Sequence, residues 1–271
     1  MAVGLLHPGE MGAAIGAALV AGGEPVMWAS DGRSAATRER AERAGLEDAG
    51  HIADLCRRCD VVLSVCPPHA AAEVARQAVG FAGIYVDANA VSPETARRIG
   101  ASVSRFVDGG IVGPPPEESG TTRLYLSGAE AASVAAGFDG TIVDARVVSA
   151  EPGAASAVKM AYAAWTKGSA ALLLATRALA RADGVEEALL EEWRMSLPGL
   201  EPQSDAAARS ALAKGWRWIA EMDEIARTFG AAGLPGEFHE AAAEVYRRTA
   251  RDPEAAGSDL DRALAALRDD S

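Results

Sequence analysis

Apolar and polar positions follow two rhythms along this chain. Up to about residue 150, short apolar runs alternate with stretches of helical period. Residues 2–6, 25–29, 61–65 and 84–86 read as strands, with 106–107 and 122–126 as two more. Several are continuously apolar, as strands buried on both faces are. Residues 12–21, 34–44, 70–79 and 92–103 read as the helices between them. Strands alternating with helices predict βαβ units and a parallel sheet. Beyond Glu151-Pro152-Gly153 no strand pattern remains. Residues 154–182 form one long Ala/Leu-rich helical pattern, followed by 186–195, 204–229 and 237–248, with Gly/Pro breaks between them. The tail, 252–271, is acidic with a leucine repeat at Leu260, Leu264 and Leu267, and reads as a terminal helix or a frayed end. The expected fold is an N-terminal, Rossmann-type, doubly wound parallel sheet over 1–150. An all-α domain over 151–271 is expected to supply substrate contacts and a dimer face.

Composition narrows the partners. The net charge of -12 over 271 residues repels nucleic acid and anionic lipid, so neither is expected as a partner. The apolar start is interrupted by His7-Pro8-Gly9-Glu10 and has no basic leader, so the cytoplasm is the expected compartment. Three cysteines imply no disulfide framework. Cys56 and Cys59 form a lone C-x-x-C, readable as a redox pair or half a zinc site. With no second Cys/His pair at suitable spacing, two unrelated thiols between a helix and a strand is the plainer reading, and no metal is expected.

The most informative stretch lies between the first strand and the first helix: His7-Pro8-Gly9-Glu10-Met11-Gly12. A dinucleotide-binding turn, G-x-G-x-x-G, requires that context. Gly9 and Gly12 stand at its second and third glycines, where the backbone must approach a pyrophosphate and the helix must pack closely on the sheet. His7 stands at the first. After the second strand comes Ser30-Asp31-Gly32-Arg33-Ser34. Ser30 falls near the position that reads the ribose, and Arg33 with Ser34 suits a 2′-phosphate, whereas Asp31 would repel one if it pointed inward. The balance favours NADP, with NAD possible.

These residues resemble a known superfamily. Gly9-Glu10-Met11-Gly12 is similar to the G-x-M-G turn of β-hydroxyacid and 6-phosphogluconate dehydrogenases. Ser64-Val65-Cys66-Pro67-Pro68 resembles their cofactor-lining loop, and Asp87-Ala88-Asn89-Ala90-Val91-Ser92-Pro93 their D-x-S-T-x-x-P segment. Asp108-Gly109-Gly110-Ile111-Val112-Gly113-Pro114 resembles an altered D-A-P-V-S-G-G segment. Gly153 through Lys159 resembles the start of the helix that carries the catalytic lysine. The L-H-P-G-E-M-G start and the K-M-A-Y-A-A-W-T-K-G helix resemble, most closely, a bacterial 6-phosphogluconate-dehydrogenase-like subgroup.

The resemblance implies an NAD(P)-dependent oxidoreductase acting on a small hydroxyacid-like molecule. Lys159 would exchange the proton while Cys66, Pro67 and Asn89 line the cofactor. Tyr162, one helical turn after Lys159, stands where the family has Asn and is a second candidate acid. Gly109-Gly110, read as a turn, is a candidate substrate contact, as are Lys167 and Trp216. Each has a plainer reading: a lysine snorkelling from an apolar helix, a packed tyrosine, an aromatic knob between helices. Val112 and Pro114-Pro115-Pro116 remove donors from the substrate segment and argue against a sugar phosphate. Imine reduction is the rival chemistry, suggested by Tyr162. A non-catalytic dinucleotide-binding protein is the rival class, suggested by His7, Tyr162 and Val112; a helical interaction module would leave the first half unexplained. The apolar face of 154–182 points to a homodimer.

Overall fold

A computed structural model describes residues 1–249 and 257–268. The chain divides into two compact units, Met1–Met160 and Ala161–Ser271.

The first unit is one eight-stranded sheet in the order β3-β2-β1-β4-β5-β6-β7-β8. Its strands are β1 (Val3–Leu6), β2 (Val26–Trp28), β3 (Glu47–Asp48), β4 (Val61–Ser64), β5 (Ile84–Asp87), β6 (Phe106–Val112), β7 (Thr122–Ser127) and β8 (Val143–Ser149). The helices are α1 (Glu10–Ala21), α2 (Ala35–Arg43), α3 (Ile52–Arg58), α4 (Ala71–Gln77), α5 (Pro93–Gly100) and α6 (Ala131–Ala136). Successive side chains on a strand point to opposite faces, and the core obeys this. Val3, Leu5, Val61, Leu63, Ile84 and Val86 pack with Ile15 and Leu19 of α1 and Val134 of α6. Leu6, Val62 and Tyr85 pack on the other face with Leu55 of α3, Val74 of α4 and Ile99 of α5. Helices on both faces of the sheet make it doubly wound, as the alternation predicts.

Three features depart from the sequence reading. The β6–β7 pair is antiparallel, the only such joint in an otherwise parallel sheet. Gly109-Gly110 is no turn; it lies inside β6. The elements β3, α6 and β8 have no counterpart in the sequence reading, which has a helix ending near Cys56 where α3 lies. Of these, β8 carries Asp144 and Arg146 on a sheet edge, which dilutes its apolar signal.

Helix α7 (Ala154–Ala182) runs over the residues its periodicity predicts. Its first two turns, as far as Met160, belong to the first unit. The second unit holds the rest of α7 with α8 (Glu186–Ser196), α9 (Leu200–Ala231), α10 (Glu237–Thr249) and α11 (Asp259–Arg268). Helix α9 packs against α8, α10 and α11. Leu260, Leu264 and Leu267 lie in α11, whereas 252–256 and 269–271 fall outside the described residues. Among the described residues, no helix is long and apolar enough to cross a membrane.

Candidate functional site

Register fixes where the candidate residues gather. Leu6 pairs with Ser64, Ser64 with Asp87, and Asp87 with Asp108. The residues just beyond that row form one C-terminal edge of the parallel strands. It carries His7–Gly12 after β1, Ser30–Ser34 after β2, Cys66-Pro67 after β4, Asn89 after β5 and Gly109-Gly110 along β6. Open α/β sheets bind ligands at this edge.

The turn after β1 is tight. The N–H of Gly9 donates to the carbonyl of His7 at 2.7 Å. Among the described residues, His7 is the one non-glycine residue with positive φ, at 66°. It adopts the left-handed backbone that a glycine at this motif position takes without strain, at a cost of ~1–2 kcal/mol for an L-residue. A Cβ on Gly12 would lie 2.7 Å from the His7 carbonyl oxygen, so only glycine lets α1 start this close to β1. A Cβ on Gly9 would meet nothing within 4 Å, leaving that face of the turn open. The first N–H groups of α1 lack intrahelical acceptors and carry the partial positive end of the helix. Exposed Glu10 sits in that first turn and Met11 packs partly buried on the core. The Pro8 carbonyl accepts from Nη1 of Arg40 at 3.2 Å.

A basic group lies beside this turn. Burial lowers the pKa of Arg33, and its Nε is buried without a hydrogen-bond partner. Burial, then the nearby Arg33 charge, pushes the His7 imidazole down to about 4, and its Nδ1 is likewise buried and unpartnered. Two orphaned polar atoms beside an open glycine turn suit a phosphate, and thus the NAD(P) that the turn motif implies. Asp31 pairs with His51 at 3.1 Å across an exposed surface. Ser30 is buried and accepts on its carbonyl from the Arg33 N–H and from Nη2 of Arg38. Ser34 caps α2, its Oγ accepting from the Thr37 N–H at 3.3 Å.

Asn89 is a brace. It is 2% exposed. Its Nδ2 donates to Ser64 Oγ and Asp87 Oδ2, and its Oδ1 accepts from the Cys66 N–H. Both amide protons are thereby used within the fold, so Asn89 fixes the Cys66-Pro67 loop instead of presenting donors outward. Burial, with Asp87 nearby, pushes the Cys66 thiol up to about 12 and keeps it protonated at neutral pH. Cys59 is pushed up to about 11, again by burial first, so the C-x-x-C holds no ready thiolate there.

Lys159 is placed by the sheet. The buried Asp108 carboxylate accepts from the N–H groups of Gly153 and Ser156 at 3.0 Å each, from Ser156 Oγ at 2.5 Å and from Ser127 Oγ at 2.8 Å. It caps the N-terminus of α7, where a negative charge is stabilising. A Cβ on Gly110 would lie 2.7 Å from the Ala155 carbonyl oxygen and 2.9 Å from the Lys159 Cβ. Glycine there lets α7 press onto β6, with partly buried Lys159 close beside Gly110. Gly109 is similarly crowded by Ala88 and Asp87. Gly110 thus serves the approach of α7 and Gly109 that of the end of β5, in place of the turn expected from sequence.

The remaining candidates lie in the second unit. Tyr162 is exposed on α7. Lys167, expected to meet an acidic group of a substrate, meets a protein one: its Nζ lies 2.9 Å from buried Glu221. The Tyr246 hydroxyl donates to the Lys167 carbonyl at 2.6 Å, and Tyr246 stacks edge-on against Trp218. Trp216 is exposed, with Arg217 5.0 Å from its ring centre. The sequence does not show Asp108, Ser127, Gly153 and Ser156 as one capping set: Asp108 stands in one motif, Gly153 and Ser156 in another, and Ser127 in none.

Comparison with known proteins agrees with this geometry. Residues 2–90 match a family described as NADP oxidoreductase coenzyme F420-dependent, and residues 180–249 match a domain of unknown function. A Methanothermus fervidus protein, described as an uncharacterized 28.5 kDa protein in the 7S RNA 5′ region, is 32% identical over 163 residues. That match covers 59% of this chain and 63% of the relative, under two thirds of its length. The conserved protein MTH1747, itself of unknown function and structurally similar to 3-hydroxyacid dehydrogenases, is 27% identical with a TM-score of 0.72. The likeness covers 98% of this chain and 99% of that one. Mycobacterium tuberculosis 3-hydroxyisobutyrate dehydrogenase shares the fold at 18% identity, with a TM-score of 0.72 and 99% of each chain covered. These likenesses show that the chain shares the fold of 3-hydroxyacid dehydrogenase-like proteins, and its first 90 residues match a family of NADP oxidoreductases.

Proposed function

We propose that the protein is an NADP-preferring dehydrogenase or reductase of a small hydroxyacid-like substrate, with Lys159 as the proton donor and acceptor. One observation carries the reading. The glycine turn and Lys159 meet the same C-terminal edge of one sheet, the lysine held there by the Asp108 cap and the Gly110 approach. Gly9, Gly12 and the first turn of α1 would hold the pyrophosphate, and Arg33 a 2′-phosphate. Asp31 hydrogen-bonds His51 on an exposed surface, at 3.1 Å.

A bound nicotinamide supplies the hydride chemistry; the chain's own part is to bind, orient and move a proton. Lys159 accepts the hydroxyl proton when an alcohol is oxidised and returns it when a carbonyl is reduced. The Asp108 cap and the close approach at Gly110 fix the helix position from which Lys159 acts. Asn89 acts at one remove, by fixing the Cys66-Pro67 loop.

Imine reduction is the second reading. Tyr162, exposed one turn beyond Lys159, offers a hydroxyl where hydroxyacid enzymes of this type carry an amide. A second copy of the chain is the proposed partner, docked on α7. The match of residues 180–249 to a domain of unknown function supports membership of the bacterial 6-phosphogluconate-dehydrogenase-like subgroup.

Calorimetric titration with NADPH and NADH, followed by a cofactor-coupled screen of hydroxyacids and cyclic imines, tests the proposal. Tighter NADPH binding and Lys159-dependent turnover of a hydroxyacid are expected. Turnover of imines alone selects the second reading. Binding without any turnover makes the chain a dinucleotide-binding protein, and no binding of either nucleotide ends the cofactor reading.

A further inference from the structure

His7 combines features that bring the fold no return. A glycine would relieve its backbone, which sits at φ 66°. Its Nδ1 is buried without a hydrogen-bond partner, in a ring only partly buried overall. The guanidinium of Arg33, whose own Nε is buried and unpartnered, lies close enough to act on the ring electrostatically. A strained residue with an orphaned polar atom, held at a ligand edge, points to a ligand. Of the residues that enter the left-handed region, histidine is tolerated and is also the one whose charge changes in this pH range.

We propose that His7 is a proton-binding phosphate ligand of this turn: beside Arg33, its imidazole takes up a proton from solvent as a dinucleotide phosphate is seated. The proposal rests on the dinucleotide reading above and adds a residue that the usual glycine turn lacks. Before binding, two cationic groups compete in one partly dry place, and the ring gives up its proton. Burial and the Arg33 charge both act in that direction, against a weaker pull from the Leu6 backbone. A phosphate between them reverses the balance, because an anion favours the charged form of the ring. Other charged groups border the turn on each side. Arg40 of α2 donates to the Pro8 carbonyl, exposed Glu10 occupies the first turn of α1, and Asp31 is paired with His51. Beyond β4 the Cys66 thiol is protonated, so it adds no charge.

The consequence is linkage. Between the acidic pKa of the free ring and the higher pKa of the bound ring, binding consumes protons, so affinity rises as pH falls. The test is isothermal titration with NADP+ and NAD+ at pH 6, in two buffers of different ionisation enthalpy, on wild type, His7→Asn and His7→Gly. Asparagine tolerates the same backbone and keeps a donor but cannot take a proton. The 2′-phosphate titrates on its own and contributes equally to wild type and variant, so only the difference counts. Proton uptake by wild type that His7→Asn lacks is the expected result. If NADP+ alone shows it, the phosphate is the 2′-phosphate; if NAD+ shows it too, it is the pyrophosphate. His7→Gly is expected to bind roughly tenfold more weakly, the loss of one hydrogen bond to a charged group. It is also expected to melt no lower than wild type without nucleotide. Equal proton counts in wild type and His7→Asn, with binding intact, overturn the proposal and leave the dinucleotide reading standing. A lower melting temperature for His7→Gly makes the ring a structural element and overturns it as well. Failure of wild type to bind either nucleotide removes both readings together.

Discussion

Asp108 accepts both the backbone N–H and the hydroxyl of Ser156, so a strand carboxylate and a helix residue 48 positions later are joined by two hydrogen bonds. Asp108→Asn replaces one acceptor oxygen by a donor that faces other donors. Such a change is expected to cost ~2–4 kcal/mol, since hydrogen bonds to a buried charge are among the stronger ones. Denaturant unfolding checks this. A variant as stable as wild type would mean that the cap contributes nothing.

Gly110→Ala tests the helix–sheet approach. The added methyl meets the Ala155 carbonyl, which is backbone and cannot swing away. A loss of ~1–3 kcal/mol is expected, with a fall in kcat from a displaced Lys159. Unchanged turnover in a folded variant would show that the spacing of α7 from β6 is not what positions the lysine.

Lys159→Met removes the proposed proton carrier and keeps most of the apolar stem. Turnover is expected to fall about 10²–10⁴-fold, with dinucleotide affinity unchanged. Comparable losses in nucleotide binding would reassign Lys159 to the cofactor.

Asp87 gives a pH signature. Burial pushes its carboxyl up to about 7, against hydrogen bonds from Asn89 that pull it down; nearby Asp108 adds a smaller upward push. The unfolded side chain ionises near pH 4. Between roughly pH 4 and 7 the unfolded chain therefore binds fewer protons at this site, and stability falls as pH rises. Asp87→Asn does not titrate. Measured from pH 5 to pH 8, the stability of the variant relative to wild type is expected to rise by roughly 1–3 kcal/mol. Parallel pH profiles would place the titration elsewhere.

Leu172 and Leu179 of α7 are 51% and 64% exposed, and Trp165 is 76% exposed, all on a seven-residue spacing. That period suits a helix facing another helix. The double variant Leu172→Glu, Leu179→Glu is expected to halve the sedimenting mass of a wild-type dimer. A monomeric wild type would remove the partner.

What could be read from the sequence divides by range. Helix α7 was legible because 29 residues keep one apolar period, and the βαβ rhythm gave the doubly wound class. The turn at His7–Gly12 was legible because its chemistry is local. The Asp108 cap was not: the motifs holding Asp108 and Gly153–Lys159 lie 45 residues apart, and nothing local links them or Ser127 until the fold joins them. Gly109-Gly110 misled, because paired glycines usually mark turns, while here they make room for Ala88 and for α7. His7 did carry a signal, a histidine on a glycine position, but its backbone angle and orphaned nitrogen needed coordinates.

The cap on α7 also sets an order of assembly. Its acceptor comes from β6, one of its donors from β7, and the rest from residues translated some 45 positions after the acceptor. No local segment contains the whole cluster, so the loop must close before the first turn of α7 is capped. Lys159 is therefore set in place only after the sheet has closed around Asp108. A nascent or partly unfolded chain with β1 and α1 in place would already hold the glycine turn while still lacking the residue proposed to carry the proton.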